Sequence, residues 1–350
     1  MRIAVVAPLV TPLGLMQIGG SQAFLTDLAQ GLAARGHRVT LYCAEGSEVP
    51  GVDSVQIPVD AAARAALVMP GGPPARSSAA LRAGFERLYR ELRRTGYDAV
   101  SQHAFDAEAI DLAAGLRALH TLHLPPIVPS VVDACRRCRQ PLATVSTSSW
   151  HAWRRAGLHR LRILRNGVPD PGVEELAIPR AGDALIAGRI SPEKGVAAGI
   201  VAAQRAGLRP LVVGGVFDRG YFERDVAPLL EGTALRPGVP RAELWRMMER
   251  SEVTLMPVEW EEPFGLVAAE SQVVGTPVVA YRRGALPEVV EDGVSGYLVP
   301  PGDLDAFVES IKRARGLDRG RVRRSARRRL LIGPVLDAYE RALATVGGAA

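Results

Sequence analysis

VTLMPVEWEEPFGLVAAESQVVGTPVVAY, residues 253–281, reads as strand, turn, helix and strand. The apolar run 253–257 suits a short buried strand, and "TPVVAY" at 276–281 suits another. Between them Pro263 opens a stretch with helical spacing. Proline is favoured at the first helical position, where its missing N–H would have had no partner. The amides of Phe264, Gly265 and Leu266 then stand at a helix N-terminus, and Gly265 gives a ligand room to approach. Free N–H groups and the helix dipole together suit an anion there. Glu262 and Glu270 flank this tip, eight residues apart, which at about 1.5 Å per residue separates their carboxylates by about 12 Å. One carboxylate could take sugar hydroxyls and the other ribose hydroxyls, with a diphosphate across the amides between. For the bare pair, an ordinary turn with a later surface glutamate is the competing reading.

The alternation continues in both directions. Downstream of 169, "DALIAG", "LRPLVVGG" and "SGYLVP" add strands to the two already named. Upstream, "RIAVVAP" is a strand, 12–20 a Gly/Pro loop, and "SQAFLTDLAQGLAARG" a helix. That helix has Leu25, Leu28, Ala29 and Leu32 on one face, Ser21 as its N-cap and Gly36 just past its end. "HRVTLYCA", "YDAVS", "LHTLH" and "ATVS" are further strands, and 60–80, rich in Ala, Pro and Gly, is a loop with at most one poor helix. Strands alternating with helices imply an α/β protein with parallel sheets covered on both faces. The Pro/Gly-rich stretch 166–172 is the linker candidate, dividing the chain into 1–168 and 169–331. The last segment, 332–350, is a helix with Val335, Leu336, Tyr339 and Leu343 at helical spacing. Ligands of such sheets sit at the carboxyl ends of the strands.

Other residues fall at those ends. "GRISPEKG" follows the strand "ALIA", so Arg189 and Lys194 sit on a strand-to-helix turn. Fixed cations there can lower the barrier to breaking a sugar–phosphate bond by meeting charge on the departing diphosphate. Gly19 and Gly20 let backbone amides approach a phosphate or sugar, and His123 closes the strand in "HTLHLPP". Alone, each has a blander reading, as a solvated loop cation, a turn or a satisfied core histidine. His120 and His103 are read as structural. Asp303 and Asp305 form a D-x-D, which suits a helix cap with an acidic first turn better than a divalent-metal site. Cys135 and Cys138, with His120 and His123 nearby, are read as reduced, partly buried thiols rather than as metal ligands.

Taken together, "EPFGLVAAE…GTPVVA…G…PEVVEDGVSGYLV", "GRISPEKG", "GGSQ" and "HTLHLPP" closely resemble the signatures of the retaining GT-B glycosyltransferases of family 4 (group 1). The resemblance is densest over 184–301 and thin over 61–117. It implies a GT-B architecture, two Rossmann-like domains facing across a cleft. The N-terminal domain would bind the acceptor, the C-terminal domain would bind the nucleotide sugar, and the C-terminal helix would cross back to the N-terminal domain. It implies transfer of a hexose-like sugar from a UDP-, GDP- or dTDP-sugar to a hydroxyl acceptor, with retention, without metal and with no cofactor beyond the donor. Glu262 would contact the donor sugar, Glu270 the ribose, and Arg189 and Lys194 the diphosphate. His123 would support the reacting sugar, and Gly19, Gly20 and the amides of Phe264, Gly265 and Leu266 would bind the donor. The amides near Gly284 and Ala285, with Asn166, Gly167 and Glu288, are weaker members. Gln22 stands where the family has Glu, which puts any acceptor or sugar contact from that position in doubt. Rivals on the same architecture are an epimerase, a phosphorylase and a catalytically silent nucleotide-sugar-binding module.

Composition fits an ordinary globular protein, at 350 residues with 47% hydrophobic and 23% charged content. No apolar stretch approaches the length that spans a bilayer, and a nicotinamide enzyme is disfavoured because no G-x-G-x-x-G follows the first strand. A cytoplasmic protein is expected. The net charge of +6 is concentrated in segment 312–329, with ten basic residues against Asp318 alone. Such a run reads first as a solvated helix face; contact with anionic lipid at the inner membrane face is the functional alternative. Nucleic acid is disfavoured, since no aromatic residues interleave the run. The acceptor, whether lipid-linked, a glycan end or a small natural product, is expected to meet loops 8–20 and 60–80.

Overall fold

The computed structural model describes residues 1–14, 19–59, 79–172 and 180–348. All but the last two residues of the 60–80 stretch, and 15–18 of the first loop, lie outside that set. The chain forms two compact units, one of 1–15, 21–165 and 333–350, the other of 16–20 and 166–332.

The first unit holds β1 (Arg2–Val6), β2 (Arg38–Ala44), β3 (Asp53–Ile57), β4 (Ala99–Gln102), β5 (Ala118–Leu122), β6 (Leu142–Thr144) and β7 (Leu161–Ile163). All pair in parallel, in the order β3-β2-β1-β4-β5-β6-β7. Between them run α1 (Gly20–Ala34), α2 (Ala79–Thr95), α3 (Ala107–Asp111), α4 (Pro129–Arg137) and α5 (Thr147–Arg155). Ser21 lies inside α1 rather than capping it, and its hydroxyl donates to Gln22 Oε1 at 3.3 Å. Leu81, Phe85, Leu88, Tyr89 and Leu92 of α2 pack with Ala4, Val6, Tyr42 and Val100 of the strands. A second cluster joins Leu122 and Leu142 to Val131, Val132 and Trp153. Each such apolar side chain contributes about 1.5–3 kcal/mol when fully buried.

The second unit repeats the plan with β8 (Asp183–Ala187), β9 (Arg209–Val213), β10 (Ala234–Arg236), β11 (Val253–Met256), β12 (Val278–Tyr281) and β13 (Gly296–Val299). These are again parallel, ordered β10-β9-β8-β11-β12-β13. Its longer helices are α6 (Val196–Arg205), α7 (Arg241–Arg250), α8 (Leu266–Val273), α9 (Leu286–Val289), α10 (Leu304–Ala314) and α11 (Arg319–Leu330). Asp303 caps α10 by accepting from the Ala306 amide at 2.9 Å, and Asp305 pairs with Arg205 at 2.6 Å, which accounts for the D-x-D. The final helix, α12 (Gly333–Gly347), packs on β4 and β5 of the first unit. Tyr339 donates to Thr121 Oγ1 at 3.3 Å, and Arg35 pairs with both Asp337 and Glu340 at 2.6 Å.

In each sheet the strand order reverses at its first strand, with β1 between β2 and β4 and β8 between β9 and β11. The loops that leave the carboxyl ends of such diverging strands run to opposite faces and leave a crevice for ligands. Among the described residues no helix is long and apolar enough to cross a membrane.

The basic run differs from the solvated face read in sequence. Arg319 donates to the carbonyls of Gly275 (3.0 Å) and Ser251 (3.1 Å) and to the Thr276 hydroxyl, while Arg323 donates to the Val274 carbonyl at 2.9 Å. Arg329 meets the Val289 carbonyl at 3.2 Å, and Arg327 pairs with Asp170. Two of these arginines therefore meet the carbonyl groups that end α8, where positive charge also complements the helix dipole.

Candidate functional site

In the second unit, the loops leaving β8 and β11 meet. The β8 loop turns through a 3-10 segment, Pro192–Lys194, and the Glu259 amide donates to the Glu193 carbonyl at 2.9 Å, tying the loops together. Lys194 Nζ then lies 2.8 Å from Glu262 Oε2 and 5.0 Å from the Trp260 ring centre. The Trp260 indole N–H donates to the same Glu262 oxygen at 2.8 Å. This carboxylate, with 12% of its side chain exposed, is therefore held by one cation and one neutral donor. Arg189, on the same β8 loop, lies 3.4 Å from Glu193 Oε1 and stacks 5.4 Å from the Phe217 ring centre. Its Nε is buried with no hydrogen-bond partner among the described residues. Lys194 and Arg189 are thus each matched with a carboxylate at the carboxyl edge of the sheet, Glu262 and Glu193.

The Glu262 peptide is gripped from the β12 loop. The Ala285 amide donates to the Glu262 carbonyl at 2.8 Å, and the Gly284 amide to Glu261 Oε2 at 2.9 Å. At Gly284 φ is +55°, and a Cβ there would fall 2.3 Å from both the amide nitrogen and the carbonyl oxygen of Glu262. Only glycine fits. These two amides, read in sequence as weaker nucleotide contacts, are taken up by the Glu262 carbonyl and the Glu261 carboxylate.

Helix α8 begins at Leu266, three residues after the proline expected to open it. Gly265 is its N-cap, left-handed at φ +91°, and its carbonyl accepts the first intrahelical bond from Ala269 at 3.1 Å. A side chain at Gly265 would be strained there and would strike Leu286, so the glycine is set by this turn. The donors without an acceptor inside the helix are those of Leu266, Val267 and Ala268; Phe264 and Gly265 precede them. Glu262 stands on the loop and only Glu270 on the helix, so helical rise does not fix their separation. Gly20, which groups with the second unit and not with the rest of α1, lies against this tip, since a Cβ on it would be 3.3 Å from Leu266 Cβ. Glu270 is buried, and Arg241 Nε reaches its Oε1 at 2.5 Å.

In the first unit, His123 follows directly on β5 and its Nε2 lies 2.9 Å from Nδ1 of His103, just past β4. His103 Nε2 is 2.8 Å from Ser101 Oγ, and Phe24 and Tyr339 pack on the two rings. Burial holds His123 down to about 4, and holds His103 well below the ordinary histidine value, with the facing His123 adding to the effect. Both rings are neutral near pH 7, and one proton lies between them. His123 Nδ1 is left buried without a hydrogen-bond partner among the described residues. His103, read in sequence as structural, is thus the direct partner of His123. His120 instead meets Gln140 Oε1 at 3.3 Å. The three cysteines are free thiols, with Cys135 pushed up to about 12 by burial.

A model described as "Glycosyl transferases group 1" matches residues 176–328, and one described as "Glycosyltransferase Family 4" matches 18–170. Together they take in most of the chain. The chain belongs to the group 1, family 4-like glycosyltransferases. Among curated relatives of this family, D-inositol 3-phosphate glycosyltransferase of Thermobifida fusca is 42% identical over 109 residues, 29% of this chain and 25% of its own length. The Mycobacterium marinum protein of the same name is 36% identical over 180 residues, 44% of this chain and 38% of its own length. The chain thus matches well under half the length of these relatives. Solved structures agree along its whole length. Sucrose-phosphate synthase from Thermosynechococcus elongatus gives a TM-score of 0.78 at 18% identity, covering 100% of both chains. Anabaena HepE, solved in complex with UDP-glucose, gives 0.75 at 17% identity over 99% of this chain and 100% of its own. These likenesses show the fold, GT-B with two Rossmann-like α/β units.

Trp260 and Arg241 were not singled out as site members in the sequence, and His103 was read there as structural. Trp260 stands within the quoted stretch, and tryptophan beside a glutamate in a loop after a strand is the signal that could have found it.

Proposed function

We propose that this protein transfers a hexose-like sugar from a nucleoside diphosphate sugar to a hydroxyl acceptor, with retention of anomeric configuration and without a metal. The observation that carries the reading is the meeting of Lys194 with Glu262 at the β8/β11 switch point, in the same unit as the bare first turn of α8. Arg189 and Lys194 would exchange carboxylate partners for diphosphate oxygens, and the Leu266–Ala268 amides would add neutral donors. Such preorganised groups stabilise a departing diphosphate without a cation from solution. Freed from Lys194, Glu262 would accept from sugar hydroxyls while Trp260 still holds it, and Glu270 would take the ribose. The family resemblance gives His123 the sugar side of the reaction. Same-face attack, with the departing phosphate taking the acceptor proton, accounts for retention without a protein nucleophile. UDP is the first base to test, since HepE, of the same fold, was solved with UDP-glucose.

The test follows diphosphate release from UDP-, GDP- and dTDP-sugars with and without acceptor hydroxyls, reading the product anomer by NMR. Release that depends on acceptor and keeps the donor anomer supports the proposal. Release without acceptor would indicate a hydrolase, inversion of a sugar centre in the intact donor an epimerase, a need for free phosphate a phosphorylase, and binding without turnover a silent module. Turnover lost to EDTA and restored by magnesium or manganese would overturn the metal-free reading.

A further inference from the structure

We infer that Arg241 is a positioning residue for nucleotide recognition, holding Glu270 oriented so that the site selects ribose over 2′-deoxyribose. The inference rests on the assignment of Glu270 to the ribose proposed above. Arg241 is the first residue of α7, where the helix dipole disfavours a cation. Helix stability therefore does not account for it. Because α7 follows β10, this position is at the carboxyl edge of the six-stranded sheet, the edge that carries Lys194 and Glu262.

Its guanidinium reaches across to α8, Nε to Glu270 Oε1 at 2.5 Å, with 16% and 5% of the two side chains exposed. One turn along α7, Trp245 supplies a ring whose centre is 4.9 Å from the guanidinium carbon. A carboxylate this buried would be costly to keep charged without a partner. The charge-assisted bond fixes one oxygen, and a carboxylate has lone pairs for about four donors, so capacity for a vicinal diol remains. An acceptor held in one orientation can separate ligands by a single hydroxyl. An unheld one would rotate and would lose that discrimination. The donor is therefore a ribonucleoside diphosphate sugar, and dTDP, which lacks the 2′-hydroxyl, is disfavoured.

The experiment measures dissociation constants of UDP, dUDP, GDP and dGDP by calorimetry for the full chain and for Arg241→Ala, Arg241→Lys and Glu270→Gln, each checked for native circular dichroism. A hydrogen bond to a charged acceptor predicts that the better-binding base favours its ribo form by about 10-fold or more. Arg241→Ala should cut that preference to within about 3-fold, and Arg241→Lys should restore part of it. In turnover the loss should fall on the donor KM, with kcat retained to within about 3-fold, because the reacting bond is untouched. Equal weakening of ribo and deoxy forms in Arg241→Ala, or an unchanged preference, would overturn the inference. If Glu270→Gln removes the preference while Arg241→Ala keeps it, only the role of Arg241 fails. No ribose preference in the unmutated protein would remove the Glu270 assignment as well. Should Arg241→Ala not fold, Arg241→Lys and Glu270→Gln decide by the same ratio.

Discussion

Removing Lys194 should separate stability from catalysis. Its ammonium lies 2.8 Å from Glu262 Oε2, with only 19% and 12% of the two side chains exposed. At an effective dielectric near 20 the gross attraction is about 6 kcal/mol at this distance. Most of that is offset by desolvation, but deleting one partner strands the other, at a cost of about 3–5 kcal/mol for a buried pair. Here Trp260 still donates to the stranded carboxylate. We therefore expect Lys194→Ala to lose about 2–3 kcal/mol of stability, or roughly 6 °C in Tm. Glu262→Gln should lose less, since the amide oxygen still accepts from Lys194. The double variant Lys194→Ala/Glu262→Gln should recover about 2 kcal/mol relative to additivity. Activity should not recover, because the two side chains act on different parts of the donor. Turnover should fall about 10²-fold in Lys194→Ala and stay at or below that level in the double variant. Urea denaturation gives the coupling energy and diphosphate release gives turnover. Additive stabilities would refute the ion-pair reasoning, and near-native turnover in Lys194→Ala would refute the leaving-group role.

Trp260→Phe keeps a ring beside Lys194 but deletes the N–H to Glu262, and should cost about 1.5–3 kcal/mol of transition-state stabilisation if the bond persists, read as kcat/KM. Arg323→Ala removes the cap on the Val274 carbonyl and should lower stability by about 1–2 kcal/mol, with donor KM nearly unchanged; unaltered urea unfolding would count against the cap. The buried histidines predict a pH dependence of known sign. His120 and His123 sit near 4 when folded, below the ordinary value of 6.5, so below that value the unfolded chain takes up protons that the native protein refuses. Stability should be flat above about pH 7 and fall as pH drops from about 6.5 toward 4, by up to about 1.4 kcal/mol per pH unit for each ring. Equal urea midpoints at pH 7.5 and 5 would contradict this.

What the sequence disclosed was whatever depends on local pattern. Apolar runs such as 253–257 and 276–281 became β11 and β12, and the β8 loop carrying Arg189 and Lys194 emerged at the expected edge. Polar β3, with Asp53, Ser54 and Gln56 mostly exposed at the sheet edge, has no apolar run to announce it. The start of α8 was set three residues early because Pro263 suits a first helical position, whereas the chain uses those residues for a turn that ends in left-handed Gly265. Long-range partners were illegible. Lys194 and Glu262 are 68 residues apart, and Arg323 caps a carbonyl 49 residues away. Arg241, in "GVPRAELW", carries no motif; its partner Glu270 lies on another helix, and only folding brings them together.

The central claim is that Arg189, Lys194 and the first turn of α8 hold a diphosphate. Calorimetric titration of UDP, GDP and dTDP into the protein and into Arg189→Ala/Lys194→Ala tests it most directly. We predict saturable binding of at least one of these nucleotides, weakened about 10²-fold or more in the double variant. Failure of all three to bind, or equal affinity in both proteins, would contradict it.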